Sequence, residues 1–342
     1  MRADVEVLVI GAGHAGLSVA WQLRRLGRAL LLVDANPRVG DAWRMRWDSL
    51  VLFTPRELNA LPGLRFPRGP TPFPGKDEVA EYQERYAAEM KLPLRLGARV
   101  RTLRHRDGCF AAEVDGDRIT SRAVVVATGA FQAPRVPPFA GALDDTVVQL
   151  HSSAYRNPAL LPEGPVVVVG AANSGAEIAV EVAARRPTTL ATGTPLRRAP
   201  ARFFDPRWWR IAYLRGLIIG DRDLPKFVPW PLRRSSFTKV DLSRAANEHG
   251  LRFAARAVSA ARNTICFADG NAVTARAVIW ATGFAVDHSW IDAPRRDGII
   301  AISRHRRGSL PGLWFVHARF LFPINHQAYG VAHDVARWLS ST

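Results

Sequence analysis

Cysteine is nearly missing: Cys109 and Cys266 are the only two in 342 residues. They stand far apart, each inside a run that reads as a strand. A disulfide framework, a Cys-x-x-Cys redox pair and a cysteine zinc site are therefore excluded. No apolar run approaches the roughly 18 residues that a membrane-spanning helix needs. The first apolar strand begins at Val5, so no signal or transit segment is expected and the cytoplasm is the expected compartment. Acids are also scarce, with 30 Asp and Glu against 47 Lys and Arg, for a formal net charge of +17. Such an excess draws anions. The cations are almost all arginines scattered along the whole chain, with no basic tail and no nucleic-acid motif, so a specific nucleic-acid partner is not expected. The remainder is ordinary for a globular protein of about two domains.

What the chain does have is a glycine turn at its start. Val5-Glu6-Val7-Leu8-Val9-Ile10 runs into Gly11-Ala12-Gly13-His14-Ala15-Gly16. An amphipathic stretch follows with Leu17, Ala20, Trp21, Leu23 and Leu26, then a second apolar run from Ala29 to Val33 that ends in Asp34. This reads as strand, tight turn, helix, strand. Gly11 permits the turn, Gly13 admits a pyrophosphate to the backbone, and Gly16 lets helix and strand pack closely. The helix N-terminus offers unpaired N–H groups to phosphate. Asp34 stands about 20 residues on, where a carboxylate takes ribose hydroxyls. A dinucleotide site is the expectation.

A turn-rich connection, Asn36 to Arg44, leads into a long segment rich in Pro and Gly, from Asp48 to Gly75. It is too apolar for a disordered linker, and ordered loops of this length are usually functional. The spacing of Val79, Tyr82, Tyr86 and Met90 predicts a helix from Lys76 to about Glu89, with Asp77 as N-cap. Short strands are expected at Arg99 to His105, Cys109 to Val114 and Arg118 to Thr120, with a hairpin turn at Asp115-Gly116. A further strand, Ala123 to Ala127, runs into Thr128-Gly129 and returns the chain to a parallel sheet. The carboxyl ends of such strands are where doubly wound folds bind ligands.

After a Pro-rich link the opening pattern repeats. Val166-Val167-Val168-Val169 is followed by Gly170-Ala171-Ala172-Asn173-Ser174-Gly175, a helix with Ile178, Val182 and Ala183, and a strand from Thr188 to Ala191. Two dinucleotide sites are expected in one chain. Ala172 replaces the middle glycine, and no carboxylate closes the second strand. A missing acid suits a 2′-phosphate, for which Arg197 or Arg198 would supply the charge.

Residues from about 200 to 240 form an aromatic, basic insertion containing Phe203, Phe204, Trp208, Trp209, Tyr213, Phe227 and Trp230. Packing onto its own domain, lining a pocket and touching an interface remain alternatives for it. Ala277 to Phe284 then repeats the Ala-Thr-Gly ending. A strand within Pro311 to Val316 and a helix starting at Gly330 return the chain to the first domain.

Together these motifs resemble the class B flavin-dependent monooxygenases, the group that includes the plant YUCCA-type enzymes. The resemblance spans essentially the whole chain. It rests on the Gly11–Gly16 turn, Gly40 with Trp43-Arg44, Phe53-Thr54-Pro55 with Leu61-Pro62-Gly63, and Ala127-Thr128-Gly129. It continues in Asn173 to Ile178 and in Ala281-Thr282-Gly283-Phe284 with Asp287 and Ser289-Trp290. The family's Phe-x-Gly-x-x-x-His-x-x-x-Tyr/Phe run is half present: His151 and Tyr155 match, while Asp145 and Val147 replace the Phe and Gly. Beside His151 no partner acid or nucleophile can be read, so a structural role is expected for it.

The resemblance implies an α/β fold of two Rossmann-like domains, the FAD/NAD(P)-binding type of glutathione reductase and the flavin monooxygenases. An FAD-binding domain would cover 1–160 and 286–342, and an NADPH-binding domain 161–285. FAD would be held by Gly11, Gly13, His14, Ala15, Gly16, Asp34, Ala35, Arg38, Trp43, Arg44, Val100, Ala127, Thr128 and Gly129. NADPH would be held by Gly170, Ala172, Asn173, Ser174, Gly175, Arg197, Arg198, Thr282 and Gly283. Phe53, Thr54 and Asn325 are the candidates for lining the flavin; no side chain is assigned to the chemistry itself, because the cofactor carries it. The implied reaction passes hydride from NADPH to flavin, adds O2 to give a C4a-hydroperoxyflavin, and oxygenates a nucleophilic nitrogen, sulfur or activated carbon of a small molecule. Two alternatives stay open: an NAD(P)H reductase or oxidase without oxygen insertion, and a flavoprotein whose second site is degenerate. A homodimer is also left open.

Overall fold

The computed structural model describes residues 3–194, 196–198, 205–207, 211, 236–238, 240–303, 306–316 and 324–342. The chain opens with β1 (Val5–Ile10), α1 (His14–Arg25) and β2 (Leu30–Val33). β1 and β2 pair in parallel, from Val7 opposite Leu30 to Ile10 opposite Val33. Val7, Val9, Leu17, Leu23 and Leu32 are fully buried between sheet and helix, each such aliphatic contributing about 1.5–3 kcal/mol. A short α2 (Asp41–Arg44) precedes the long Pro- and Gly-rich loop, which leads to α3 (Lys76–Glu89). Gly75, rather than Asp77, is the N-cap of α3. Glu78 reaches back to accept the Gly75 N–H at 2.8 Å, and Asp77 lies two positions too far in, paired with Lys76 at 2.9 Å.

β3 (Leu94–Arg95) borders β2, and β4 (Val100–Arg106) and β5 (Cys109–Val114) form a hairpin with β6 (Asp117–Val126). Asp115 and Gly116 both have positive φ, +45° and +94°, as the two-residue turn between β5 and β6 requires. The two strands expected at 118–120 and 123–127 are one strand. Ser121, fully buried, faces both Phe110 on β5 and Val5 on β1, so the first half of β6 serves the hairpin and the second half the parallel sheet.

β7 (Ala133–Pro134) leads to β8 (Val148–His151), β9 (Val166–Val169), α4 (Asn173–Ala183), β10 (Thr188–Ala191) and β11 (Leu196–Arg198). β12 (Ser236–Thr238) pairs with β11, and α5 (Leu242–His249) leads to β13 (Arg252–Ala254). A meander of β14 (Ala257–Ala261), β15 (Thr264–Phe267) and β16 (Ala272–Thr274) precedes β17 (Ala277–Trp280). The second sheet runs β13-β10-β9-β17-β8, all parallel. β8 therefore belongs to it, although the sequence expectation kept everything up to residue 160 in the first domain. The chain crosses earlier, at β7, which pairs antiparallel with β18 (Phe284–Ala285) on the way back.

A small hairpin, β19 (Arg295–Arg296) and β20 (Ile299–Ile300), precedes β21 (Leu313–Phe315), which lies parallel to the second half of β6. The last helix, α6, spans Ile324–Ser341 and packs Ala328, Val331, Ala332, Val335 and Leu339 into the core shared with α1. It begins six residues before the expected Gly330. That glycine sits mid-helix on an exposed face, where it costs about 1 kcal/mol relative to alanine. Burial of the opposite face outweighs this.

Candidate dinucleotide sites at two glycine turns

The first turn is sterically committed to glycine at two of its three positions. Gly11 has φ +107°, and a methyl group there would stand 2.6 Å from the Ala127 carbonyl oxygen. At Gly16 it would stand 1.8 Å from the Gly11 oxygen. Gly13 differs: its backbone is extended (φ −78°, ψ −171°) and a methyl group would meet nothing within 4 Å. The open space lies where the turn faces the N-terminus of α1. No side chain caps that helix and no acid occupies its first turn, so its leading N–H groups remain available to an anion. Asp34 ties the turn to the end of β2. Its carboxylate accepts the Ala12 N–H at 2.6 Å and the Asn36 backbone and amide N–H groups at 2.8 and 2.9 Å.

The second turn repeats this construction. Gly170 has φ +102°, a methyl there would lie 2.4 Å from the Ala281 oxygen, and one at Gly175 would lie 1.8 Å from the Gly170 oxygen. Ala127 N–H donates to Ile10 and Ala281 N–H to Val169, both at 2.8 Å, so each Ala-Thr-Gly segment backs one turn. The helix after this turn is also uncapped and free of first-turn acid. Where an NAD site would carry an acid, Arg256 reaches the Gly193 carbonyl at 3.2 Å. No local sequence pattern marks it, because it arrives from the loop between β13 and β14. Arg197 and Arg198 lie on β11, and their side chains fall outside the described residues, as do Phe203, Phe204, Trp208, Trp209, Tyr213, Phe227 and Trp230.

Several expected contacts are engaged within the chain. Arg44 donates to the Val39 carbonyl at 2.8 Å and to Asp41 at 3.0 Å, and pairs with Glu84. Arg38, exposed, pairs with Glu84 at 3.5 Å. Both of these expected FAD contacts thus pair with the chain's own acids. Trp43 packs against the first core, Ala35 is exposed, and Val100 opens β4 opposite Val114. Thr282 donates its hydroxyl to the Arg135 carbonyl, and the Gly283 oxygen accepts the Arg135 N–H at 2.9 Å. These two residues hold the crossing strands together.

His151 is built into the same crossing. Ser153 N–H donates to its Nδ1 at 3.2 Å, which leaves Nε2–H to donate to the Gly283 oxygen at 3.0 Å. Burial, chiefly, holds this imidazole below its ordinary pKa, so a neutral structural histidine results. Gln132 joins the crossing strands too: its amide N–H groups donate to Thr128 Oγ1 at 2.8 Å and the Gly129 oxygen at 2.7 Å. Its oxygen accepts the Asp287 N–H at 2.8 Å.

The long loop is ordered from beneath by two helices. Tyr82 accepts the Leu61 N–H at 2.6 Å and donates to the Leu64 carbonyl at 2.7 Å, and Tyr86 donates to Pro62 at 2.8 Å. Asn325 donates from α6 to the Ala60 carbonyl at 2.7 Å. Thr54 is buried and its hydroxyl donates to Asn59 at 2.6 Å, which makes it a loop-stabilising residue. Phe53 is half-buried. Two buried polar atoms here lack a hydrogen-bond partner among the described residues: Asn325 Oδ1 and His14 Nε2. Burial pushes His14 down to about 4, with the neighbouring Asn325 side chain opposing part of the effect. A neutral imidazole and an amide that face each other, beside open space at Gly13 and free helix N–H groups, fit a dinucleotide ligand.

Residues 8–200 match the family described as pyridine nucleotide-disulphide oxidoreductase. A protein of Geobacillus kaustophilus described as an uncharacterized oxidoreductase, CzcO-like, is 38% identical over 92% of this chain and 91% of its own length. The flavin-containing monooxygenase from Stenotrophomonas maltophilia superposes with a TM-score of 0.83 at 26% identity, covering 98% of this chain and 99% of that one. The chain belongs to the class B flavin monooxygenases of this family. Rice indole-3-pyruvate monooxygenase YUCCA1 is 32% identical over 51% of the chain and 44% of the rice protein. This flavin-monooxygenase chain lacks the cysteine pair that the family's description brings to mind. Cys109 on β5 and Cys266 on β15 form no disulfide and lie in different sheets.

Proposed function

We propose that the chain is an FAD- and NADPH-dependent monooxygenase that oxygenates a nucleophilic nitrogen, sulfur or activated carbon of a small molecule, O2 being the co-substrate. The observation that carries this reading is the doubled construction: two uncapped helix N-termini, each behind a sterically required glycine turn and backed by an Ala-Thr-Gly segment. Gly11 to Gly16 with Asp34 would hold FAD. Gly170 to Gly175, with Arg256 beside Gly193, would hold NADPH. When bound, the flavin supplies the redox and oxygen chemistry. The chain's own part is to bind, orient and keep water out. His14, neutral and buried, and Asn325 offer hydrogen-bonding groups without adding charge.

The absence of a cysteine pair removes disulfide reduction by the chain's own thiols and favours oxygen insertion over that alternative. A reductase or oxidase that hands electrons to O2 shares every feature above, and product analysis separates it. Purified holoprotein mixed with NADPH should lose its oxidised-flavin absorbance, and the reduced sample mixed with O2 should pass through a transient distinct from both reduced and oxidised flavin. Hydrogen peroxide released in proportion to the NADPH consumed, with no such transient, would establish an oxidase. Failure of NADPH to bleach the flavin would establish a degenerate second site.

A further inference from the structure

Arg46 pairs with no acid among the described residues. It emerges just beyond α2, half-buried, and Nε donates to the Ala42 carbonyl at 3.2 Å. Its guanidinium carbon lies 5.3 Å from the Phe131 ring centre and 5.6 Å from that of Phe284, and the two rings meet edge-on at 5.3 Å. Among the described residues no carboxylate pairs with it. Its charged neighbour is another cation, Arg156, whose donors go to the Ser153 and Tyr155 carbonyls. Burial and that like charge hold the Arg46 pKa below its usual value. A desolvated guanidinium stacked on aromatics, with its edge uncommitted, is a ready receptor for a carboxylate.

Strand order says which ligand such a group would meet. In the first sheet Asp34 marks the β2 side of the glycine turn as the ribose side, so the rest of the dinucleotide extends toward β6. In the second sheet Arg256 and Gly193 mark the β10 side, so the rest extends toward β17. β6 continues through Thr128-Gly129 to Phe131, and β17 through Thr282-Gly283 to Phe284. Dinucleotides held in this sense would direct their reactive ends toward the aromatic pair beneath Arg46. Phe131 is 60% exposed there, open to a flat apolar ligand.

We propose that Arg46, stacked on Phe131 and Phe284, recognises the carboxylate of a flat, apolar substrate at the junction of the two units. For its location this rests on the monooxygenase reading above. The anchor selects organic anions over neutral molecules of the same shape, before any oxygen is transferred.

Benzoate and benzamide, which share shape and differ in charge, are the probes. Both are titrated into the FAD-loaded protein while flavin absorbance and heat are followed. Benzoate should bind about ten- to a hundredfold more tightly, the range of a charge-assisted contact. The preference should shrink as salt rises, collapse in Arg46→Gln, and survive in part in Arg46→Lys, which keeps the charge without the planar face. Equal affinities of the two probes in the unaltered protein, or a full preference in Arg46→Gln, would overturn the proposal. So would loss of NADPH affinity in Arg46→Gln with the benzoate preference intact, since the cation would then serve the dinucleotide. A benzoate preference in a protein whose flavin NADPH cannot reduce would support the anion site while ending the monooxygenase reading.

Discussion

Ala172 carries the same backbone conformation as Gly13, φ −71° and ψ −178° against −78° and −171°. An extended φ suits any residue, so the alanine is unstrained and the second turn keeps its shape. Its methyl group occupies the direction that is open at Gly13. Ala172→Gly should therefore tighten NADPH binding about three- to tenfold, or ~0.6–1.4 kcal/mol, with little change in thermal stability. NADPH fluorescence titration and a melting curve give both answers; unchanged affinity would show the methyl to be harmless.

The three glycines of the first turn should separate by experiment. Gly16→Ala forces a methyl group to 1.8 Å from the Gly11 oxygen, whereas Gly13→Ala meets open space. We expect Gly16→Ala to lose more than about 3 kcal/mol of stability, within the range of severe backbone and overpacking changes. Gly13→Ala should fold normally and weaken FAD retention instead. Urea denaturation of apoprotein, followed by FAD titration, distinguishes a folding position from a ligand-facing one.

Arg256 is expected to set the choice of nicotinamide cofactor. Removing its charge in Arg256→Ala should weaken NADPH about tenfold or more, as loss of a charge-assisted contact does, and leave NADH nearly unaffected. Steady-state flavin reduction with each cofactor measures the ratio. Equal losses for both would place Arg256 in the support of the Gly193 turn rather than at the phosphate.

His14 should make stability depend on pH. Its pKa is about 4 in the folded chain against 6.5 ordinarily. Between those values the unfolded chain binds the extra proton, so stability rises with pH and falls on acidification through the same window. The full effect is on the order of 3 kcal/mol. Glu78, Asp4 and Asp287, all held below their usual values by hydrogen bonds, add losses in the same direction at lower pH. His14→Gln should flatten the slope between pH 6.5 and 4 and leave the steeper fall below it. A variant with the unaltered slope would exclude His14 as its source.

Much of this architecture was legible because backbone sterics write it into local sequence. Gly11, Gly16, Gly170 and Gly175 are required by contacts a few residues away, and the Val-rich runs beside them bury on both faces. Asp115-Gly116 announced its turn through its tolerance of positive φ. Other features depend on partners distant along the chain and leave no local trace. β8 carries no local signal for its sheet, because only its pairing with β17 places it there. Arg44 pairs with Glu84 only because the fold brings α3 beside α2. Arg46, Gln132 and Arg256 carry no pattern at all, since each acquires meaning from an element far away in sequence. Thr54 was a plausible flavin-facing hydroxyl, but Asn59 turns its proton into the loop.

The β7–β18 pair, two residues per strand, joins the units, and its smallness has a mechanical consequence. A ribbon this short can twist, but side chains alternate faces, so a shift of one residue would turn Phe284 away from both Phe131 and His151. Gln132, bonded on both sides, resists the same shift. The register of so short a ribbon thus sets the gauge of the gap between the facing edges of the two units.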